Sequence, residues 1–503
     1  MQRIDVHQVR AATIGRLTAG ALDVLVVGGG IVGAGIARDA AMRGLRVGLV
    51  EQHDLASGTS SRSSRLLHGG LRYLAQGRLA LVREASREKC ILHGIAPHLA
   101  EPLAFVFPTY RGSPWPLWQL RLGVKLYDLL CGGRNLGSSR SFDANGIRSH
   151  LPGVDPHGLT GGVRYFDGLT NDARLVLDTL RSAGEHGAII ANYTRFEDAS
   201  PGGGRWKCLL RDVLADQPFE AEALTVVNAT GPWAQALPHS SVRLRLTKGV
   251  HLVIDRRRLP VPDAVVMAEG RRILFAIPWG ERAILGTTDT DYDRPIDDVC
   301  TEPADVDYVL NVTNRAFPDA GLTQADIVSA WAGLRPLIAS GRGGPSDISR
   351  AHQILMPQPG WFDVAGGKLT TYRLIAEQTV DRLYRHLGRG RPPCRTAEEP
   401  LRASGRAQFH GVPAVDAAEA ASYGPVASGV LPPPVGAAMV ERYCADEWAV
   451  HLDDVMLRRS GWHFYHADAA AVAERVAGWM AECLDWDAAQ QTVELARYHN
   501  LKH

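Results

Sequence analysis

Apolar and polar positions along the chain fall into a few distinct patterns. Leu22 to Val27 is a short valine-rich run bounded by three glycines, the pattern of a strand buried on both faces. Ile31 to Arg43 then carries apolar and small residues at helical spacing, Gly44 punctuates, and "LRVGLVE" makes a second buried strand ending at Glu51. Strand, helix and strand in that order predict a right-handed parallel crossover. "NDARLVLDTLRSAGEHGAII" predicts an amphipathic helix capped by Asn171 or Asp172, turning at Gly187 into a strand. "EALTVVNATGPWA" is a strand stopped by Gly-Pro, and "RRILFAIPWGERAILGTTDT" is a hairpin turning near Gly280. "WFDVAGGKLTTYRLIAEQTVDRLYRHLG" reads as a strand, two glycines and a long amphipathic helix. Alternating strands and helices early and late, with hairpins between, predict an α/β fold. A nucleotide-binding domain is interrupted by a mixed or antiparallel insertion.

After Gly388 the pattern changes. "GRGRPPCRTAEEP" has linker composition, and alanine-rich helical patterns run from Val412 to His503 with a break at "LPPPVG". The expected organisation is an N-terminal extension over 1–20, the interrupted nucleotide-binding domain over 21–390, and a C-terminal α-helical domain over 391–503. Trp115 to Leu130, "WPLWQLRLGVKLYDLL", is amphipathic and suits either a bilayer interface or a core or cap helix. If it is the interface, a charge at Leu117 or Leu120 is expected to weaken membrane binding.

Composition narrows the classes. Lys+Arg 55 against Asp+Glu 54 leaves no global field, so no nucleic-acid partner is expected and anion binding must be local. The 7 Cys are scattered without a C-x-x-C pair, which argues against disulfides or zinc and for a reducing cytoplasm. "HFYH" at His463 to His466 lacks acidic or cysteine partner spacing and reads as packing, so no metal is expected. The N-terminus lacks the features of a secretory signal, and no apolar run reaches the roughly 18 residues of a spanning helix, so membrane contact would be peripheral.

Between the first strand and helix lies Gly28-x-Gly30-x-x-Gly33. The first glycine makes the turn, the second admits a diphosphate and the third lets helix pack on strand, with Glu51 placed for an adenosine ribose. "GTSSRSSRLLHGGLRYL" then holds Arg62, Arg65 and Arg72 with no acidic residue, so phosphates are the expected anions. A further crossover would be usual in an NAD enzyme. A hydroxyl-rich loop feeding His68-Gly69-Gly70 instead suits the longer FAD, with donors from Thr59, Ser60, Ser61 and Ser63 and the histidine and two glycines counted in the cofactor set.

Taken in order, "GGGIVGAGIARDAAMRGL", "TSSRSSRLLHGGLRYL", "VVNATGPWA", "GTTDTDYD", "GLRPLI" and "GGKLTTYRLIAE" resemble the FAD-dependent glycerol-3-phosphate dehydrogenases of the aerobic, quinone-linked type, DAO-like flavoproteins. In the tail, "DEWAVHLDDVMLRRSGW" resembles that family's C-terminal helical domain. The resemblance implies a Rossmann-type, glutathione-reductase-like FAD domain with a nested substrate domain. It also implies oxidation of sn-glycerol 3-phosphate to dihydroxyacetone phosphate, with electrons passed to a quinone. The protein would sit in the cytoplasm against the inner face of the cell membrane, in peripheral contact with lipid. Quinone or oxygen as final acceptor stays open, as does the oligomeric state, a homodimer included.

Matched positions name the site. His251 is the candidate base, the alternative being a histidine packed under the flavin. Arg335 and Lys368 join it as catalytic residues, and Arg72, Tyr73 and Arg350 complete the substrate set. Gly231, Gly367, Lys368, Leu369 and Thr370 add to the cofactor set, the last four at a strand-to-helix junction suited to negative charge on the flavin. FAD is expected to be non-covalent, since the resemblance implies no link at His68. Arg65 departs from the lysine of many members, and the first twenty residues have no role in the family. Two rivals stand: a flavoenzyme acting on an amino or hydroxy acid, and a catalytically silent flavin-binding module.

Overall fold

The computed structural model describes residues 3–71, 74, 77–131, 135–270, 272–339, 351–401 and 429–501. Arg72, Tyr73 and Arg350 therefore lie outside the described residues, as does the predicted start of the tail at Val412. The chain opens with α1 (Val6–Thr18) and the crossover β1 (Leu22–Val27), α2 (Ile31–Met42) and β2 (Val47–Val50). It then leaves this unit for β3 (Leu66–Leu67), α3 (Leu79–Ile95), β4 (Glu101–Tyr110), α4 (Leu117–Leu130), β5 (Arg140–Asp143), α5 (Ala144–His150) and β6 (Leu159–Leu169). It returns through α6 (Asp172–Glu185), β7 (Ile189–Ala191), β8 (Thr194–Gly202), β9 (Arg205–Asp212) and β10 (Gln217–Asn228).

A second excursion follows with β11 (Leu244–Asp255), β12 (Ala264–Glu269), β13 (Arg272–Trp279), β14 (Arg282–Gly286), β15 (Thr290–Asp291), α7 (Pro303–Ala316) and β16 (Ile327–Ile338). β17 (His352–Gln358), β18 (Trp361–Gly366) and α8 (Tyr372–His386) close the first unit. The expected helix after Gly366-Gly367 thus starts only at Tyr372, because Leu369–Thr371 form a 3-10 turn first.

Two sheets result. The first runs β17–β18–β10–β1–β2–β7, parallel from β18 to β7, with the β8–β9 hairpin laid against β10. Its strands are apolar on both faces because α2, α6 and α8 cover one side, burying Ile36, Ala40, Val176, Leu180, Ile375 and Val380, while Leu17 of α1 and Trp206 and Leu210 of β9 pack on the other. The second sheet runs β15–β11–β14–β13–β12–β4–β6–β3, with β16 on β11 and β5 on β6, and is antiparallel except at β12–β4. Both excursions contribute to it, so it is nested in the nucleotide-binding unit as the α/β pattern predicts. The joins between sheets gather residues 59–68, 249–251, 333–335 and 367–370 around one cavity.

The C-terminal region is helical: α9 (Ala437–Asp446), a π-helix over Asp454–Arg459, α10 (Trp462–Tyr465), α11 (Ala469–Leu484) and α12 (Ala488–His499). Val440, Tyr443, Leu452, Met456, Trp462 and Met480 form its core. The N-terminal residues are integral to the packing. Ile4 and Val6 pack on this helical core, and the Ile4 N–H donates to the Cys483 carbonyl at 2.8 Å. Arg10 then reaches the first sheet, donating to Asp212 Oδ1 and to the Asn192 carbonyl, both at 2.6 Å.

Candidate active site

At the end of β1, Gly28 adopts a φ of 114°, and a Cβ there would lie 2.6 Å from the Ala229 carbonyl oxygen. A Cβ on Gly33 would lie 2.0 Å from the Gly28 carbonyl oxygen, so α2 can pack on the turn only through glycine. Gly30 is the N-cap of α2 without a side-chain cap, and the Ile31 N–H donates to Ser60 Oγ at 3.0 Å. A hydroxyl of the basic loop therefore sits at the positive end of the helix.

Glu51 Oε2 accepts from the Gly29 N–H at 2.7 Å and Oε1 from the His53 N–H at 3.0 Å. Burial pushes its carboxyl pKa up. Each oxygen retains acceptor capacity for a ribose hydroxyl, but the carboxylate first holds the glycine turn itself. Glu51→Gln removes one of these acceptors and turns an amide donor toward a backbone N–H. FAD affinity measured by titration should fall by about 1.5–3 kcal/mol. Unchanged affinity would remove Glu51 from the cofactor site.

A cavity of about 470 Å³ begins at Ile31 and Ser60 and continues past Thr59, Ser63, His68 and Gly70 to His251, Arg335 and Gly367–Thr370. Gly28, Gly30, Gly33, Glu51, Ser61, Gly69 and Gly231 are not on its wall. For Gly69 the reason is visible. Its N–H donates to Tyr127 Oη at 3.0 Å and Asp167 Oδ1 at 3.2 Å, inside the protein. Thr59 is also committed, donating from Oγ1 to the Leu334 carbonyl at 2.6 Å, and Ser63 Oγ accepts from the Arg65 N–H at 3.0 Å. Thr370 Oγ1 accepts from the His68 N–H at 3.0 Å, tying the β18–α8 junction to the basic loop.

His251 faces Trp331 across the β11–β16 pair, and the rings stack at 5.1 Å and 20°. Its Nε2 lies 2.8 Å from Ser64 Oγ, while Nδ1 has no hydrogen-bond partner among the described residues. Burial, then the charges of Arg335 and Arg65, push the imidazole pKa down to about 3. In the free protein the ring is therefore held in its neutral form. Arg65 lies behind it, 3% exposed, its guanidinium 4.3 Å from the Trp279 ring centroid and 5.2 Å from that of Trp331.

Arg335 Nη2 donates to Thr287 Oγ1 at 2.8 Å and Nη1 to the Thr288 carbonyl at 3.2 Å, with Asp289 at 3.4 Å. The guanidinium lies across Gly249, where a Cβ would fall 2.2 Å from Nη2. Next to it in register, Gly333 lets the backbone of Arg62 pass, its missing Cβ 2.6 Å from that carbonyl oxygen. Ser64, Gly249, Gly333 and Thr287 are site residues that motif reading missed. The available signal was a glycine at matched positions of "KGVHLV" and "AGLRPLI".

Hydroxyls at a helix start, with Arg335 and Lys368, line one cavity as a donor set for phosphate oxygens, which fits FAD with an anionic substrate. The fold and this cavity define a class, the flavin-dependent oxidoreductases. A family model described as FAD dependent oxidoreductase matches residues 23–382. Glycerol-3-phosphate dehydrogenase 2 of Mycobacterium bovis is 36% identical over 97% of this chain and 89% of its own length. Aerobic glycerol-3-phosphate dehydrogenase of Staphylococcus haemolyticus is 39% identical over 73% of this chain and 67% of its own. Among solved structures, the glycerol-3-phosphate dehydrogenase from Bacillus halodurans complexed with FAD is 30% identical, with a TM-score of 0.75, covering 97% of this chain and 96% of that one. The chain belongs to the family of FAD-dependent oxidoreductases that includes these glycerol-3-phosphate dehydrogenases, and its cofactor is FAD.

Proposed function

We propose that the protein oxidises sn-glycerol 3-phosphate to dihydroxyacetone phosphate, with non-covalently bound FAD as the cofactor and a quinone as the electron acceptor. The observation that carries this reading is the meeting of His251, Arg335 and Lys368 in one cavity. Arg335 and Lys368 hold the substrate phosphate, assisted by Arg72, Tyr73 and Arg350. His251 takes the proton of the C2 hydroxyl, its ring held by Ser64 Oγ at 2.8 Å from Nε2. A dianion beside Arg335 offsets the positive field on the imidazole and so raises its proton affinity in the complex. The chemistry FAD supplies when bound is acceptance of a hydride. In this reading residues 21–390 form the oxidoreductase unit and 391–503 a helical domain.

The acceptor is read from the apolar part of the cavity lining, Phe105, Phe107, Trp115, Leu122 and Leu126, the last two on α4. A small polar substrate leaves that part unused; an apolar ring suits it. Turnover with a soluble quinone analogue, compared with dissolved oxygen, tests the assignment. Faster turnover with oxygen would contradict it. Acid precipitation should release all the yellow colour, whereas colour retained in the pellet would show a covalent flavin.

Membrane association is read from α4. Trp118, Leu122 and Leu129 are 68%, 65% and 73% exposed, with Arg121 and Lys125 also exposed. Leu120 is 5% exposed, so the expected use of that position as a membrane probe is corrected: the helix turns Leu120, Val124 and Tyr127 into the core. No helix among the described residues is long and apolar enough to cross a membrane. Asp at both Trp118 and Leu122 should abolish binding to anionic liposomes at unchanged melting temperature. Undiminished binding would remove α4 from the contact.

A further inference from the structure

The C-terminal segment Asp454–Tyr465 touches the active site's two halves from behind. At its start, Arg459 donates to both oxygens of Asp54, at 2.5 and 2.7 Å, and Arg458 donates to the same carboxylate. Asp54 is 1% exposed, as is Arg459. Two residues on, the Ala56 N–H donates to the Gly29 carbonyl at 3.0 Å with φ at 63°, and the loop continues to Ser60 at the start of α2. The arginine pair thus grips the loop that covers the glycine turn.

At its other end the Phe464 carbonyl accepts from Ser329 Oγ at 2.8 Å, and the Phe464 ring meets Trp331 edge-on at 5.2 Å. Trp331 is the ring stacked on His251. Tyr465 fastens the same end, its carbonyl accepting from Arg282 Nε at 2.7 Å. Gly461, with φ at 73°, turns the chain between the two ends.

Buried ion pairs are weak sources of stability, since apolar replacements of the same volume are often neutral or better. Here one carboxylate is shared by two buried arginines on a π-helical turn, a geometry that recurs at functional sites. We propose that Asp454–Tyr465 is a positioning element that sets the separation between the FAD phosphate loop and the strand carrying His251. The inference rests on reading the glycine turn as the FAD site and His251 as the base.

The test compares Asp54→Asn with Phe464→Leu in the holoenzyme. FAD release is followed by free-flavin fluorescence, turnover is expressed per bound flavin, and melting temperature is recorded. Asp54→Asn should weaken FAD retention by about tenfold or more, because buried Arg459 loses its carboxylate while Arg458 keeps Asp453 and Asp454, with turnover per bound flavin nearly unchanged. Phe464→Leu should keep FAD and lose turnover, by up to about 100-fold for a displacement near 1 Å. Equal losses of both readouts in both variants, or no loss in either, would overturn the proposal. If Asp54→Asn does not fold, Arg459→Lys, which keeps charge without the fork, carries the same readouts, and failure of both to fold would mark the contact as structural only. Glu51→Gln and His251→Asn, made alongside, separate failure of the underlying site reading from failure of this one.

Discussion

Lysine at position 335 should lower kcat/KM for glycerol 3-phosphate by about 2–4 kcal/mol, roughly 30- to 900-fold. Lysine keeps the charge beside Asp289, but it cannot hold Thr287 Oγ1 and the Thr288 carbonyl while presenting a fork to phosphate oxygens. Gly249 sharpens the expectation, because the guanidinium occupies the space a Cβ would fill and so has one seat. Glycerol lacks the phosphate, so comparing the two substrates assigns the role. A loss confined to glycerol 3-phosphate marks a phosphate clamp, and an equal loss on both places Arg335 at the reacting hydroxyl. Flavin content should be unchanged. Wild-type kcat/KM, or protein arriving without FAD, would contradict the proposed pocket.

Asparagine at position 251 should lower kcat by about 10²–10⁴-fold, the range for losing a general base, with FAD retained. It should also change stability in the opposite sense at low pH. The folded-state pKa of about 3 lies below the ordinary histidine value, so the unfolded chain takes up a proton first as pH falls. Stability is therefore full above about pH 6.5 and is lost progressively down to about pH 3, a loss of about 2 kcal/mol by pH 5 from this group alone. Arg65 and Arg335 both add to the depression. Urea titrations at pH 7 and pH 5 should show a smaller acid loss for His251→Asn than for the wild type. Identical acid losses would mean the imidazole is protonated in the folded protein.

The glycine turn, the two flanking strands and the late strand-to-helix junction were legible because each is specified by residues close together in sequence. Gly28 and Gly33 meet backbone within their own crossover or the adjacent strand. Ser64, Gly249 and Gly333 were not legible, since their meaning arises only when β11 pairs with β16 and the basic loop crosses over them. The bond from the Gly29 N–H to Glu51 is not legible in the sequence, because it depends on how the following loop folds back. Amphipathicity located α4 but not its buried face; packing against Phe105 and Tyr165 turns Leu120 inward and leaves Trp118 outside. Likewise α1 and "HFYH" carry no local signal of the elements they join. Arg10 reaches Asp212, and Phe464 reaches Trp331, only through contacts distant in sequence.

The central claim is that one cavity joins an FAD phosphate site to a clamp and base for a phosphorylated alcohol. Anaerobic addition of glycerol 3-phosphate to the oxidised holoenzyme tests it most directly. A stoichiometric amount should bleach the yellow flavin and release dihydroxyacetone phosphate, far faster than glycerol at the same concentration bleaches it. A flavin that stays yellow in the presence of excess glycerol 3-phosphate, in protein that is folded and fully loaded with FAD, would contradict it.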